Sequence, residues 1–254
     1  ARNGGVLTAA TDIDYEAPSS EELQYHYDGT VYAKRCYEGF GKADPTVELR
    51  LGPNIKDWPK MPKLNTSNPE VRNYFMEVCA HWIREYHVDG WRLDVANEVD
   101  REFWRTFKHT ARAIDPNIVM IGEIWENAES WLRGDMFDSA MNYDFRKHCR
   151  DFFALGTIDA AQFSARVAQM LHRYPAGIVQ GQLNLLDSHD VSRFLSLCGG
   201  DVRRLRLAEV FLFTSPGAPC VFYGDELGIA GITETDYRSA MPWGDPPCAQ
   251  QEFF

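Results

Sequence analysis

The residues with the clearest chemical potential are an arginine and an aspartate two positions apart, Arg92 and Asp94. They lie in an apolar run whose alternation is typical of a β-strand, and residues two apart on a strand share one face. A neighbouring guanidinium favours the ionised carboxylate. An ionised, oriented carboxylate is what the nucleophile of glycosidic chemistry requires. The alternative at this point is a surface ion pair on a strand edge.

Four apolar runs are each followed by an acidic residue. These residues are Asp94, Glu123, Asp190 and Glu226. Retaining glycoside hydrolysis needs two carboxyl groups about 5–5.5 Å apart, one ionised and one protonated. We expect Glu123 to be the protonated acid, because burial against Trp125 would raise its pKa. Asp190, beside His189, could bind sugar hydroxyl groups. The alternatives are a surface glutamate at a strand end and a simple loop hydrogen bond.

A metal site is the other chemistry that this part of the sequence could support. Asp187, His189 and Asp190 offer oxygen and nitrogen ligands within four residues. Only one histidine is present, which makes a transition-metal site the less favoured interpretation. We therefore expect no metal at the reacting centre.

The elements that must position these residues alternate between strands and helices about five times. A helix is expected to start at Asn68 and Pro69, a capping side chain followed by proline at the first helical position. Strands are expected at 88–95, 118–121, 140–142, 183–186 and 218–223, and helices at 69–87, 100–114, 143–155, 159–173 and 201–214. This α/β pattern is typical of a parallel sheet with crossover helices.

Acidic residues at the carboxyl ends of several strands favour a (β/α)8 TIM barrel, whose active site is assembled there. A doubly wound open sheet is the alternative, and it lacks support because no glycine-rich phosphate loop follows any strand. Residues 1–66 show turn signals without sustained periodicity, with short strands expected near 31–37 and 47–51. We expect them to form an irregular excursion segment, with residues 67–254 forming the C-terminal part of the barrel.

Composition excludes several classes of partner. The net charge of −11 and the pI of about 5.1 argue against nucleic acid and anionic membranes, which call for a basic patch. No apolar run approaches the roughly 20 residues needed to span a bilayer. The six cysteines have neither zinc-ligand nor redox spacing. We expect reduced thiols in a cytoplasmic protein.

Several motifs together resemble the α-amylase family, glycoside hydrolase family 13. Residues 90–94, 122–125 and 186–190 resemble its second, third and fourth conserved regions, and 217–226 its last barrel strand. Residues 61–65 and 95–98 are similar to those of the neopullulanase, cyclomaltodextrinase and maltogenic amylase branch. The motifs occur in the family's order over residues 61–226.

The resemblance implies a role for each matching side chain. Asp94 would be the nucleophile, Glu123 the general acid/base and Asp190 the transition-state stabiliser. The side chains expected to bind substrate are Arg92, His189, Glu98, Trp125 and Arg238. Glu98 matches a position linked to acceptor-side selectivity, and Arg238 lies in a donor-side loop where Ala240 replaces the usual proline.

The resemblance also implies the reaction and its partners. It implies retaining hydrolysis of α-glucosidic bonds in maltooligosaccharides, cyclodextrins or pullulan, with no cofactor required for the chemistry. Structural calcium and a homodimer of the full-length enzyme are family properties that this sequence does not reveal. The family's first conserved region is absent, so we expect a partial barrel of about strands four to eight. The alternatives are a transglycosylase or isomerase, a catalytically dead barrel, and a sugar-binding fragment without turnover.

Overall fold

The computed structural model describes residues 64–243 and 249–253. The expected excursion segment lies almost wholly outside the described residues, as do its two short strands, most of the motif at 61–65, Cys36 and Cys248. The boundary at residue 66 therefore stays a prediction. The described residues fall into two compact units, 64–87 with 98–116, and 88–97 with 117–243 and 249–253.

The first unit contains two amphipathic helices, α1 (Pro69–Tyr86) and α2 (Arg101–Ile114). The Asn68 side chain accepts a hydrogen bond from the Glu70 N–H, which confirms the predicted helix start. The Asp100 side chain caps α2 in the same way. The two helices pack together through an edge-to-face contact between the rings of Phe75 and Phe103, whose centroids are 6.0 Å apart.

The second unit is built on five parallel strands. They are β1 (Gly90–Leu93), β2 (Val119–Gly122), β3 (Ser139–Asn142), β4 (Leu183–Leu185) and β5 (Ala218–Cys220). The strands lie side by side in chain order, and each pairs in parallel with the next. A doubly wound sheet would reverse its order at a switch point. The order therefore confirms the predicted partial barrel and puts all five carboxyl ends at one edge.

Helices connect the strands of the second unit. The longer ones are α3 (Tyr143–Cys149), which continues as a π-helical turn Arg150–Ala154, α4 (Ala160–His172) and α7 (Val202–Thr214). A capping box between Asp159 and Gln162 starts α4. The helices bury a shared apolar core, whose largest members are Phe145, Met170, Leu186, Phe194, Leu195, Leu205 and Leu212. Three helices that the sequence did not predict are short: α5 (Ala176–Gly181), α6 (Phe194–Leu197) and α8 (Glu234–Tyr237).

The first strand is shorter than expected, and this corrects one step of the sequence argument. β1 ends at Leu93, so Asp94 lies beyond it and the alternation does not extend to Ala96. Val95 has a φ of +43°, a left-handed conformation. The N–H groups of Val95 and Ala96 bond to the Glu123 side chain and carbonyl, at 2.8 and 3.1 Å, instead of continuing the ladder. The strand at 218–223 likewise ends early, at Cys220.

Buried amides hold the middle of the sheet in register. The Asn142 amide donates to Oδ1 of Asn184 at 2.9 Å, and the Asn184 amide donates to the Pro216 carbonyl at 2.9 Å. Gly217 passes so close to Asn184 that a Cβ would lie 2.5 Å from the amide nitrogen. With a φ of +126° as well, this position requires glycine.

Two further predictions from the sequence concern membrane-spanning segments and the state of the cysteines. Within residues 64–243 and 249–253, no helix is long and apolar enough to cross a membrane. The four described cysteines, Cys79, Cys149, Cys198 and Cys220, are free thiols. Burial raises the pKa of Cys79 and of Cys198 to about 11, which leaves these thiols protonated and unreactive.

Candidate active site

Arg92 holds two carboxylates at the ends of neighbouring strands. One guanidinium nitrogen, Nη1, forms an ion pair with Asp94, and the other, Nη2, lies 2.9 Å from Oε1 of Glu123. Asp94 follows β1 and Glu123 follows β2, so parallel pairing of these strands brings the two acids together. The predicted contact between Arg92 and Asp94 is confirmed, and Glu123 joins it. An isolated surface pair does not describe this site, because the Glu123 side chain is only 3% exposed.

Glu123 is fixed by donors from three sides. Its Oε1 accepts from Arg92 and from the indole N–H of Trp125, the latter at 3.3 Å. Its Oε2 accepts the Val95 N–H at 2.8 Å. The expected burial of Glu123 beside Trp125 is therefore observed. A carboxyl group held at both oxygens has one orientation, which is what a residue that passes a proton to a defined atom requires.

Asp94 is the accessible member of the pair, with its side chain 71% exposed. Partial burial acts to raise its pKa, but hydrogen bonds with Arg92 and Glu123 and the charges of Arg92 and His189 outweigh it, so the pKa is lowered. Asp94 is thus ionised at neutral pH.

Asp190, in the loop region after β4, is held by the side chains of His189 and Arg238. Its Oδ2 lies 3.0 Å from Nε2 of His189, and its Oδ1 lies 2.7 Å from Nη2 of Arg238. Arg238 also contacts Glu234 through Nε, at 3.3 Å. The contact of His189 with Asp190 is the loop hydrogen bond that the sequence analysis gave as the alternative, and Arg238 is brought to the same carboxylate, so the role of Asp190 in sugar binding stays a prediction. Both Glu123 and Asp190 act electrostatically on Tyr143, which links this group to the Arg92 group.

Tyr143 is a site residue that the sequence analysis missed. Its hydroxyl lies 3.3 Å from Oγ of Ser188, and its ring stacks on Trp125 with centroids 4.1 Å apart. Burial raises the Tyr143 pKa to about 12, and the charges of Glu123 and Asp190 add to the effect. The available signal was its place directly after β3. We had assigned Tyr143 to the following helix, which it does begin.

The remaining predicted residues are less directly placed. Glu98 ends a short 3-10 turn, Ala96–Glu98, and belongs to the first compact unit, so its role stays a prediction. Glu226 accepts the Gly224 N–H at 2.8 Å and so closes its own turn. The part of the chain that the structure describes holds no group of three acidic, histidine or cysteine side chains suited to a metal ion. The metal interpretation of Asp187, His189 and Asp190 thus gains no support.

Together these groups supply the parts of a displacement at a sugar carbon. Asp94 is an exposed anion that can attack, and Glu123 is a buried carboxyl group that can exchange a proton with the departing oxygen. The Trp125 ring is 44% exposed and stacks on Tyr143, so it offers a flat apolar surface at the same place. Aromatic faces of this kind suit the apolar face of a sugar ring.

Comparison with known proteins identifies relatives of the chain. Residues 55–244 match the family model described as alpha amylase, catalytic domain. A cyclomaltodextrinase of Geobacillus thermopakistaniensis is 46% identical over 196 residues, 77% of this chain and 33% of that protein. Neopullulanase 2 of Thermoactinomyces vulgaris is 50% identical over 185 residues, 73% of this chain and 32% of that protein. A solved cyclomaltodextrinase matches with a TM-score of 0.71 at 44% identity, covering 73% of this chain and 32% of that one. The chain thus spans about a third of the length of these relatives.

Proposed function

The chain belongs to the alpha-amylase family, and on that premise we propose that its reacting centre hydrolyses α-glucosidic bonds with retention of configuration. The substrates proposed are maltooligosaccharides, cyclodextrins or pullulan. The names of the relatives, cyclomaltodextrinase and neopullulanase, support this substrate class. Because the chain spans a third of those proteins, the activity is proposed for the centre that this chain carries.

In the proposed reaction, Asp94 attacks the anomeric carbon while Glu123 protonates the departing glycosidic oxygen. The first step forms a bond between Asp94 and the sugar and releases the rest of the glucan with the proton of Glu123. Glu123 then removes a proton from water, which attacks the same carbon and releases Asp94. Asp190 stabilises the positive charge of the transition state. No cofactor is needed, because the two carboxyl groups supply both the nucleophile and the proton.

The observation that carries the proposal is the contact of Arg92 with both Asp94 and Glu123. The guanidinium keeps Asp94 ionised and fixes its position beside the acid. We propose that an entering sugar fits between the two carboxyl groups at the separation of about 5–5.5 Å that retention requires. An inverting enzyme would instead need room for water between carboxyl groups about 6.5–9.5 Å apart.

The proposed contacts with substrate follow from the same geometry. Arg92 and His189 would bind the sugar at the cleavage point, and the stacked Trp125 and Tyr143 rings would line one side of it. Arg238, held on Asp190, would act on the donor side. Glu98 is proposed for the acceptor side on sequence similarity.

Related functions remain as alternatives to this proposal. A transglycosylase or isomerase would use the same covalent step, with a sugar hydroxyl instead of water as the acceptor. A sugar-binding fragment would bind substrate without turning it over. The cytoplasmic location, the homodimer and the structural calcium also stay as proposals for the whole protein.

Product analysis tests the proposal. The 254-residue chain would be incubated with maltotriose, pullulan and β-cyclodextrin, with chromatography of the products and an NMR time course of their anomers. We expect short α-glucans whose new reducing ends are first α. A β-anomer formed first would overturn retention, and binding without products would favour the fragment alternative.

A further inference from the structure

A second pair of acidic side chains is buried in the same compact unit as the reacting carboxylates. Asp187 lies between β4 and the pair His189–Asp190, and Asp225 opens the 3-10 turn Asp225–Leu227 after β5. Asp187 is 3% exposed and Asp225 is 8% exposed. The proposed reaction uses neither, so their burial needs another explanation, since a buried charge is costly unless it is paired.

The carboxyl groups of Asp187 and Asp225 act on each other electrostatically between the loops after β4 and β5. Burial raises the pKa of Asp187 to about 6, against the effect of the Phe194 N–H, which donates to Oδ2 at 2.7 Å. Burial, the charge of Asp187 and hydrogen bonding to it raise the Asp225 pKa well above its ordinary value. Oδ1 of Asp187 is buried and has no hydrogen-bond partner among the described residues. Asp225 accepts hydrogen bonds at both of its oxygens, from Arg193 at Oδ1 and from the Phe222 N–H at Oδ2, 3.2 Å away.

Arg193 fixes Asp225 to the segment that carries Asp190. Its side chain is fully buried, and its Nη1 donates to Oδ1 of Asp225 at 3.1 Å and to the Tyr223 carbonyl at 2.6 Å. The guanidinium lies over the Phe222 ring, 4.1 Å from its centroid. The loop after β4 is thus bound to the loop after β5 by charge, hydrogen bonds and stacking.

The contacts around Asp190 close into a ring of hydrogen bonds. Asp190 accepts a hydrogen bond from Arg238. The residue after Arg238 is Ser239, and its carbonyl accepts a hydrogen bond from the Tyr223 hydroxyl at 2.7 Å. The Tyr223 carbonyl in turn accepts from Arg193, three residues after Asp190. The Arg193 N–H also donates to the Gly231 carbonyl at 2.9 Å. Loss of the contact between Asp225 and Arg193 would therefore loosen the hold of His189 and Arg238 on Asp190.

We propose that Asp225 and Arg193, through their buried ion pair, are positioning residues that hold Asp190 and His189 in place for the reaction. The structural form of this inference is that Asp225 and Arg193 keep residues 188–193 ordered, and it does not depend on the proposed function. The kinetic form is that this order is needed for turnover, and it rests on the proposed function. An asparagine keeps the size of Asp225 and a side-chain oxygen that can accept the Arg193 hydrogen bond, so it should preserve most of this support. An alanine should not.

Hydrogen exchange of the 254-residue chain tests the structural form without requiring turnover. In Asp225→Ala, the amides of residues 188–193 should exchange at least about tenfold faster than in the unchanged chain, as expected for loss of one buried hydrogen bond. In Asp225→Asn they should exchange within about threefold of the unchanged chain. The amides of β1 to β3 should be unaffected in both variants.

The matched control is Asp151→Ala. Asp151 is also 8% exposed and ion-paired, with Arg150 and Arg166, and it lies outside the reacting centre. This variant should leave exchange at 188–193 unchanged. Equal exchange of these amides in Asp225→Ala and the unchanged chain would overturn the proposal, as would an equal effect of Asp151→Ala. If Asp225→Ala does not fold, Arg193→Lys replaces it, because lysine keeps the charge but loses the stacked planar group.

A double-mutant cycle tests the kinetic form on a maltose-type chromogenic substrate. Asp225→Ala should lower kcat by about 10- to 100-fold with a smaller change in KM, because Asp190 would no longer be held in the orientation that the reaction needs. In an Asp190→Asn background the same change should cost less than about threefold, because its target is already removed. Equal costs in both backgrounds would contradict the proposal. An unchanged chain without turnover would count against the proposed function, and the exchange result would still decide the structural inference.

Discussion

Arg92 is the residue on which the electrostatics of the reacting centre depend. It contacts the exposed Asp94 and the buried Glu123 at once, and these contacts outweigh the desolvation of Asp94. A single cation thus keeps one acid ionised and orients the other. This division of roles arises because one carboxylate follows β1 and lies in solvent while its partner follows β2 and is enclosed.

The pH dependence of activity should report the lowered pKa of Asp94. Asp94 must be ionised to attack, so kcat/KM should be present above its pKa and lost as the pH falls through it. The acidic limb should therefore lie below the ordinary aspartate value of about 3.9. Arg92→Gln should move that limb upward by about one unit or more, and Arg92→Lys should move it less. An acidic limb that stays in place in Arg92→Gln would contradict this account.

Glu123 should show its role as an acid in the dependence on the leaving group. Glu123→Gln should cost roughly 10²–10⁴ in glycosylation rate for substrates with poor leaving groups, because these need a proton in the transition state. An aryl or fluoride leaving group needs none, so its loss should be far smaller.

Azide provides a matched check on the second step. It can attack the intermediate without a general base and should restore turnover of Glu123→Gln. Equal slowing of glycosylation for both substrate types, with no rescue by azide, would assign Glu123 another role.

At the scale of elements, Val95 stores strain beside the nucleophile. A β-branched residue at a φ of +43° is an outlier, and the hydrogen bond from its N–H to Glu123 compensates for it. Glycine normally destabilises a strand by about 0.5–1 kcal/mol relative to alanine. At position 95 the glycine variant should instead be at least as stable as the alanine variant, because only glycine adopts this φ freely.

Chemical denaturation measures the free energies of unfolding of the glycine and alanine variants at both positions. Val95→Gly should be at least as stable as Val95→Ala, while at Val119, which lies within β2, the glycine variant should be less stable than the alanine variant. If alanine were the more stable replacement at both positions, the strain at Val95 would be negligible.

The strands and their order could be predicted from sequence because each is a short apolar run that ends in a polar residue. Asp94, Glu123 and Asp190 were found by that rule, and the resemblance to a known family gave each a role. Tyr143 was missed because it follows the weakest run and also begins a helix. The turn at Val95 was missed because it depends on a hydrogen bond to Glu123, which is far away in sequence.

The pairing of Asp187 with Asp225 could not be predicted for a related reason. Periodicity describes neighbours along one element, whereas these two carboxyl groups act on each other only because β4 and β5 are adjacent in the sheet. Both lie in loops, where sequence patterns carry little information on contacts. The structure therefore adds mainly the contacts between successive strand ends.

At the scale of the whole molecule, a buried glutamate should make stability depend on pH. The Glu209 pKa is raised from 4.5 to about 7 by burial, although Gln250 and the charge of Arg206 act in the opposite direction. The folded state thus binds a proton more tightly than the unfolded state. Its contribution to stability is complete below about pH 4.5 and is lost as the pH rises through about 7.

Thermal melting between pH 6 and 8 measures this contribution. The melting temperature of the unchanged chain should fall over this range more steeply than that of Glu209→Gln, which cannot ionise. Glu102→Gln, on an exposed part of α2, is the control and should keep the slope of the unchanged chain. Parallel slopes for the unchanged chain and Glu209→Gln would show that Glu209 titrates normally.

The central claim is that Asp94 forms a covalent bond with the sugar, and trapping that intermediate tests it most directly. The 254-residue chain would be treated with a 5-fluoro-α-glucosyl fluoride, whose fluorine slows the second step, and then analysed by intact mass and peptide mapping. We predict the addition of one sugar, located on Asp94 and absent from Asp94→Asn. A label on another carboxylate, or turnover of the reagent without any covalent adduct, would contradict the account.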